Sequence, residues 1–284
     1  MKWTPGGSSR NVEDRRGQSG GMLPGGRMGM GIGGAVVMLV LSLIFGRDFV
    51  TGSTTADDST ATSAGEVASS PDEERLVQFV TFVLNDVQDV WRKKLDERHV
   101  PYQDAHLVLF RDATQSGCGT AESTMGPFYC PLDQKVYIDL GFYDELRRRF
   151  GAPGDFAQAY VLSHELGHHV QHLLGIDAQI RRAQQREPDK ANALSVRLEL
   201  QADCLAGVWG NSTEQRRLLQ QGDIDEGLAA AASVGDDRIQ RATTGRVNAE
   251  TFTHGSSAQR TAWFKRGLSS GSIDACDTFG DRGP

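Results

Sequence analysis

Two histidines and a glutamate within five residues carry the strongest chemical signal of the sequence. His164, Glu165 and His168 belong to His-Glu-Leu-Gly-His, which is the HExxH pattern. Four residues advance an α-helix by about 400°, so both imidazoles emerge one turn apart on nearly the same face and can bind one metal ion. Glu165 stands beside that ion, where its carboxylate can accept a proton from water. The alternative is a helix whose histidines lie at the surface.

A metal site of this kind needs a third ligand. The HExxHxxGxxH arrangement is excluded, because Leu174 stands where its third histidine would be. Another common solution places a Glu on a later helix, four residues before an Asp that orients a ligand histidine. Glu199 and Asp203 have that spacing. An exposed acidic face is the alternative, but the neighbouring leucines indicate a buried helix, where unpaired carboxylates are costly. Two His and one Glu favour zinc.

Hydrolysis at such a site usually needs a second group that stabilises the oxyanion. His254, in Thr-Phe-Thr-His-Gly, is the best candidate, and a purely structural histidine is the alternative. Three tyrosines are weaker candidates: Tyr137, Tyr143 and Tyr160. His169 points about 100° away from the two motif histidines and is not expected to be a ligand.

The elements that position these residues are predominantly helices. The HExxH motif lies in a predicted helix over 156–174, which Gly175 is placed to stop. Glu199 and Asp203 lie in a predicted helix over 192–209, and residues 176–191 can turn the chain back antiparallel. Further helices are expected over 71–98, 214–221, 224–233 and 257–268, and strands over 106–111 and 135–140. The second strand is the candidate edge along which an extended peptide binds. The fold class is thus α+β, mainly helical with a small sheet.

An apolar segment precedes this domain. Residues 29–46 form 18 residues without a charge, just enough for one transmembrane helix. A cleaved signal peptide and a buried core helix are the alternatives, but no suitable cleavage site follows. Residues 1–28 carry more basic residues than the flank after the segment, which predicts a short cytoplasmic tail and an external domain. Residues 47–70 read as a Ser/Thr-rich flexible linker. The folded domain then covers residues 71–284.

Four cysteines suit an external domain. They stand at positions 118, 130, 204 and 276, without the C-x-x-C spacing of a zinc knuckle. Outside the cytoplasm disulfides are permissible. Three pairings are possible, of which we favour Cys118 with Cys130 and Cys204 with Cys276. Four free thiols are expected instead if the domain is cytoplasmic.

Composition limits the class of protein. The 284 residues allow one or two folded units. The chain is 38% hydrophobic and 24% charged, which excludes a wholly disordered chain and one that crosses a membrane many times. A formal net charge of −7 argues against a nucleic-acid partner, because such proteins need a basic surface.

The sequence resembles the bacterial membrane-anchored neutral zinc metallopeptidases. The resemblance extends over nearly the whole chain, and the matching segments are Asn-Val-Glu-Asp-Arg-Arg at 11–16, Gly-Pro-Phe-Tyr-Cys-Pro at 126–131, Val-Tyr-Ile-Asp-Leu at 136–140, Gly-Asp-Phe-Ala at 154–157, the HExxH helix, Glu-Leu-Gln-Ala-Asp-Cys at 199–204, Thr-Phe-Thr-His-Gly at 251–255 and Cys-Asp-Thr-Phe at 276–279. It implies that His164, His168 and Glu199 bind one zinc ion, that Glu165 is the catalytic base, and that Asp203 orients a ligand.

The expected function follows from the motif and the resemblance together. It is a membrane-anchored zinc metallopeptidase of the gluzincin type, with a zincin-like domain that hydrolyses peptide or protein substrates through a zinc-activated water. One alternative is a membrane-tethered zinc-binding scaffold or pseudo-enzyme, although an intact base speaks against it. Another is a zinc amidase acting on a non-peptide amide. An activating or scaffold partner is also compatible with the sequence.

Overall fold

The structure, a computed structural model, describes residues 1–6, 9–17, 69–148 and 154–280. Over these residues the chain is mainly helical with a small sheet, as predicted. The α-helices are α1 (Pro71–Asp96), α2 (Gly141–Arg148), α3 (Asp155–Leu173), α4 (Ile176–Arg186), α5 (Ala191–Gln215), α6 (Asp223–Ser233), α7 (Asp236–Thr244) and α8 (Ser257–Ser270). The strands are β1 (Val12–Asp14), β2 (His106–Phe110), β3 (Ala113–Ser116), β4 (Gly119–Glu122), β5 (Phe128–Cys130) and β6 (Lys135–Asp139).

The predicted membrane segment cannot be compared with the structure. Residues 29–46, and the predicted linker apart from its last two residues, lie outside the described part of the chain. None of the helices that the structure does describe is long and apolar enough to cross a bilayer.

Four strands form the main sheet, in the order β1-β2-β6-β5. β1, β2 and β6 run parallel, and β5 pairs antiparallel with β6. The prediction that residues 135–140 form an edge strand is therefore wrong. Val136, Tyr137 and Ile138 are all at most 1% exposed, and strands buried on both faces belong inside a sheet. The end strand beside β6 is β5.

α1 packs against α3 and α5 and shares the main apolar core with residues of β2 and β6, and its start is the one predicted. Ser70 caps the helix by accepting a hydrogen bond from the Glu73 amide at 3.2 Å, and Pro71 occupies the first turn. The predicted apolar face is buried at Val80, Val83, Val87, Val90 and Leu95.

The HExxH helix, α3, and the Glu199 helix, α5, pack against each other, and α5 packs most extensively against α8. α5 continues beyond the predicted end at 209, so the predicted helix over 214–221 is wrong. The chain leaves the helix where Arg217 adopts φ 59° and the Leu218 amide bonds back to the Thr213 carbonyl. The segment between α3 and α5, predicted to turn the chain back, contains α4.

Both predicted disulfides are confirmed. Cys118 is bonded to Cys130, which joins the β3–β4 hairpin to the end strand β5. Cys204 is bonded to Cys276, which fixes the C-terminal segment to α5 one residue after Asp203.

The first residues of the chain pack against this domain, which the sequence analysis did not anticipate. Val12–Asp14, part of the predicted cytoplasmic tail, pair in parallel with Leu107–Leu109 of β2. Met1 is 4% exposed, and the ring of Trp3 lies 5.3 Å from that of Phe79 on α1.

Candidate metal centre

Three of the predicted site residues converge between α3 and α5. His164 and His168 lie one helical turn apart, with ring centroids separated by 4.9 Å. Nε2 of His164 is 3.2 Å from Oε2 of Glu199, and Nε2 of His168 is 3.4 Å from Oε1 of the same carboxylate. One ligand atom from each residue lies within 4.8 Å of the other two. The arrangement offers two nitrogens and one carboxylate to a single ion.

A glycine inside the motif permits this convergence. A Cβ on Gly167 would lie 3.0 Å from the Ala202 carbonyl oxygen and 3.2 Å from the Ala202 Cα. Only a residue without a side chain lets the two helix backbones approach so closely. Because Ala202 lies three residues after Glu199 on α5, this contact sets the distance between the third ligand and the two histidines.

We expect Gly167→Ala to disturb the site through this contact. The added methyl group meets rigid backbone, so overpacking should outweigh the better helix propensity of alanine and destabilise the fold by about 1–2 kcal/mol. Zinc affinity should fall as well, because the helices separate. Urea unfolding and metal titration measure the two effects. Gly210→Ala on α5 is the matched control, since its Cβ meets a flexible Leu268 methyl group. Equal effects of the two substitutions would contradict this role of Gly167.

The donor set fits a cation. His164 directs Nδ1 to the Asp203 carboxylate at 2.8 Å, and His168 directs Nδ1 to Oε1 of Gln171 at 2.8 Å. Both partners are acceptors, so each Nδ1 carries the proton and each Nε2 presents a lone pair. Those lone pairs face the oxygens of Glu199. Acceptors that face acceptors at 3.2 to 3.4 Å are stabilised when a positive ion lies between them.

Asp203 is held by an arginine that the sequence analysis did not identify. Arg260 of α8, which is 4% exposed, donates from Nε to Oδ2 at 2.8 Å and from Nη2 to Oδ1 at 2.9 Å. The Tyr160 hydroxyl donates to the same carboxylate. Although burial raises the pKa of Asp203, the charge of Arg260 and the hydrogen bonds from His164 and Arg260 outweigh it and lower that pKa. Asp203 therefore stays ionised and accepts a hydrogen bond from the protonated Nδ1 of His164.

The approach of α8 to α5 makes this contact possible. A Cβ on Gly267 would overlap the Cys204 carbonyl oxygen at 1.9 Å, so the two helices cross almost in backbone contact. Arg260 and Asp203 are 57 residues apart in the sequence. The spacing of residues in the sequence therefore did not indicate this pair. An arginine among the apolar residues of a buried helix face would have indicated an acidic partner, because buried arginines are almost always paired.

His168 is oriented by a second, uncharged network. Gln171 donates from Nε2 to the Leu198 carbonyl at 2.7 Å and to the Gln201 side chain at 3.1 Å. Gln201 in turn donates to the Cys276 carbonyl at 3.0 Å. The glutamine of the Glu-Leu-Gln-Ala-Asp motif therefore links the metal centre to the segment fixed by the second disulfide.

Glu165 lies next to the ligands without joining them. The residue is 8% exposed, and none of the hydrogen bonds among the described residues involves its carboxylate. Burial raises the pKa of Glu165, and the nearby negative charge of Glu199 raises it further. A carboxylate of raised pKa that is not committed to a protein donor suits a general base.

His254 lies in a loop organised by Asp236. Oδ2 of Asp236 accepts hydrogen bonds from the backbone amides of Thr253, His254 and Gly255, at 2.6 to 3.0 Å. Oδ1 is 3.2 Å from Nδ1 of His254. Burial lowers the pKa of His254, but Asp236 and the nearby charge of Glu199 outweigh it, so the pKa is raised. The imidazole is 44% exposed and forms part of the electrostatic surroundings of the ligand carboxylate. Asp236 has no sequence signature of its own.

The remaining histidines of α3 do not join the centre. His169, as expected, points elsewhere: its Nδ1 accepts from the Tyr129 hydroxyl at 2.9 Å, and its Nε2 donates to the Gln103 carbonyl at 2.7 Å. Burial lowers its pKa to about 4, so it is neutral and joins α3 to β5. His172 contacts Asp177 at 3.0 Å.

Of the three tyrosines considered as oxyanion donors, two donate hydrogen bonds to aspartates and the third is buried in the core. Tyr160 contacts Asp203, and Tyr137 donates to Asp133 at 2.7 Å. Tyr143 is 3% exposed, and its hydroxyl has no hydrogen-bond partner among the described residues.

A second group of carboxylates lies away from the histidines. Asp155, Asp223 and Glu226 bring their oxygens within 4.8 Å of one another. The Met1 amino group forms ion pairs with the two aspartates, and Glu226 accepts from the Phe156 amide. The Met1 amino group therefore neutralises part of the negative charge of these carboxylates.

A model of the family described as "Putative neutral zinc metallopeptidase" matches residues 1–279. The "Uncharacterized protein YpfJ" of Escherichia coli (strain K12) is 45% identical over 289 aligned residues, covering 99% of both chains. The "Uncharacterized protein Rv2575" of Mycobacterium tuberculosis (strain H37Rv) is 46% identical over 220 residues, covering 73% of this chain and 72% of the relative. No solved structure matches. The chain belongs to the family of neutral zinc metallopeptidases that this model describes.

Proposed function

We propose that the protein is a zinc-dependent peptidase with a zincin-like, gluzincin-type domain. The observation that carries the proposal is the convergence of His164, His168 and Glu199 around one position, with the unengaged carboxylate of Glu165 beside it. A purely structural zinc site has no use for such a carboxylate. Three protein ligands also leave a coordination position for water, which is the arrangement of catalytic rather than structural zinc sites.

The mechanism assigns one task to each residue. Zinc, when bound, lowers the pKa of a water toward about 7 and polarises the scissile carbonyl. Glu165 accepts the proton of the attacking water and delivers it to the departing amine. Asp203, fixed by Arg260, holds the His164 ring in the tautomer that presents Nε2, and Gln171 does the same for His168.

We place the substrate along β5. This strand ends the sheet, so its outer edge can pair with an extended peptide. Tyr129 of β5 contacts His169 and His172 on α3, which fixes the strand against the helix that carries the ligands. The disulfide from Cys130 to Cys118 holds the end of the same strand.

His254 is proposed to donate a hydrogen bond to the developing oxyanion. Asp236 holds Nδ1, which leaves Nε2 available, and raises the pKa of the imidazole. We expect His254→Ala to lower kcat about 10²-fold, because one oxyanion donor is lost, with little change in KM or in bound zinc. Steady-state kinetics on a peptide substrate and metal analysis test this. A kcat within twofold of the wild type would assign His254 to the loop structure only.

The peptidase proposal is tested with the purified full chain and a diverse peptide library. We expect cleavage products by mass spectrometry, loss of cleavage when a chelator removes the zinc, and recovery when zinc is returned. A protein that holds zinc but cleaves no peptide would favour a scaffold or an amidase for a non-peptide amide.

We further propose that the folded domain lies outside the cytoplasm, attached to the membrane through residues 29–46. Two disulfides support this placement, because such bonds persist in oxidising compartments.

A further inference from the structure

The N-terminal segment, defined as residues 1–6 and 9–17, and the domain formed by residues 71–280 make one folded unit. From their contacts we infer that both lie on the same face of the membrane. Any membrane contact of residues 29–46 then begins and ends on that face. This differs from a single crossing, which separates a cytoplasmic N-terminus from an external domain.

The backbone pairing of β1 carries the inference. Val12, Glu13 and Asp14 lie in register beside Leu107, Val108 and Leu109 of β2. The pairing is extended at both ends: the Leu107 amide donates to the Asn11 carbonyl at 2.7 Å, and the Arg15 amide donates to the Leu109 carbonyl at 2.7 Å. β1 is therefore a strand of the main sheet and cannot reach β2 from the other side of a bilayer.

Charged side chains fix β1 to two further elements. Glu13 forms ion pairs with Lys135 of β6 and with Arg15, at 2.5 and 2.6 Å. Arg16, whose side chain is 7% exposed, contacts Glu73 and Glu74 in the first turn of α1 at 2.9 and 3.1 Å. These ion pairs can form only if the N-terminal segment and the domain lie in the same compartment.

Apolar contacts place the start of the segment in the core. The Trp3 ring meets Phe79 at 5.3 Å and Phe82 at 6.4 Å, with Arg75 over its face at 5.9 Å. The Lys2 amide donates to the Leu218 carbonyl at 2.7 Å. The segment thus contacts α1, β2, β6 and the turn after α5.

Removal of β1 would expose an unfavourable edge. Leu107, Val108, Leu109 and Phe110 of β2 are at most 1% exposed. Without β1 this apolar strand would end the sheet with unpaired amides and carbonyls, which promotes aggregation. The domain therefore needs β1 in its own compartment.

The apolar segment has length for one crossing only. As a helix, 18 residues measure about 27 Å, close to the roughly 30 Å of one hydrocarbon core. One crossing would place β1 opposite its sheet, and two crossings would need about twice that length. The pairing of β1 with β2 therefore excludes a single crossing between the N-terminal segment and the domain.

Cysteine accessibility in the full-length protein tests the inference. The four native cysteines are all in disulfides, so the wild type gives no labelling background. Thr4→Cys and Lys2→Cys report on the N-terminal segment at two exposed positions, and Leu132→Cys, at a residue 74% exposed, reports on the domain. Cells with an intact cytoplasmic membrane are treated with a membrane-impermeant maleimide, before and after permeabilisation.

We expect all three cysteines to react in the same preparation. Labelling of all three in intact cells places the whole unit outside, and labelling of all three only after permeabilisation places it inside; both support the inference. Labelling of Leu132→Cys in intact cells, with both N-terminal cysteines protected until permeabilisation, or the reverse pattern, would overturn it. The readout does not depend on peptidase activity, so this result and the test of the proposed function are separate.

Discussion

Glu165→Gln is expected to retain one zinc ion per chain and to lose peptide cleavage by at least about 10²-fold. General-base catalysis contributes roughly 10²–10⁴-fold. The carboxamide has almost the shape of the carboxylate but cannot accept the proton of the attacking water. Because no protein donor binds the Glu165 side chain, the substitution breaks no hydrogen bond among the described residues. Metal analysis and kcat/KM on the same preparation give both quantities.

Glu199→Gln is the comparison variant, because it changes a ligand instead of the base. We expect it to lose zinc, and cleavage with it, whereas Glu165→Gln loses cleavage alone. Retained cleavage in Glu165→Gln would remove Glu165 from the mechanism. Zinc loss in Glu165→Gln would make it a structural partner of the site.

Arg260→Met is expected to cost about 3–5 kcal/mol of the free energy of unfolding. The substitution leaves the Asp203 carboxylate fully buried without its arginine, and removing one partner of a buried ion pair has a cost of that size. Zinc affinity should fall about 10–100-fold, because the group that orients His164 is disturbed. Urea denaturation and zinc titration measure the two effects.

Two controls separate the ion pair from general damage to α8. Lys265→Met changes an exposed cation on the same helix and should stay within about 0.5 kcal/mol of the wild type. The double variant Asp203→Leu/Arg260→Met removes both charges and should be more stable than Arg260→Met alone. If Arg260→Met lowers the free energy of unfolding by less than about 1 kcal/mol, the proposal that Arg260 stabilises the buried Asp203 carboxylate is contradicted.

The parts of the fold predicted from the sequence are those governed by local spacing. HExxH and Glu-Leu-Gln-Ala-Asp each place their polar groups one turn apart, so helix geometry alone aligns them. The start of α1 was predictable because Ser70 can accept a hydrogen bond from the Glu73 amide, and Pro71, which has no amide hydrogen, suits the first turn. The disulfide pairing was one of the three that four cysteines allow, and it was favoured because Cys118 and Cys130 close a short loop, which leaves Cys204 for Cys276.

Long-range contacts account for what was not predicted. Val12–Asp14 offers one apolar residue, and its partner β2 lies far along the chain, so no periodicity marks it as a strand. Arg260 and Asp236 owe their importance to how α8 and α7 approach the site. The order of strands, and with it the edge at β5, depends on pairing between distant segments.

The proposed function requires that His164, His168 and Glu199 together hold one zinc ion. Anomalous diffraction at the zinc edge, from crystals of the purified zinc-loaded protein, tests it most directly. We expect a single strong peak within about 2.0–2.2 Å of Nε2 of both histidines and of a Glu199 oxygen. No peak at that position, or a peak only between Asp155, Asp223 and Glu226, would contradict the account.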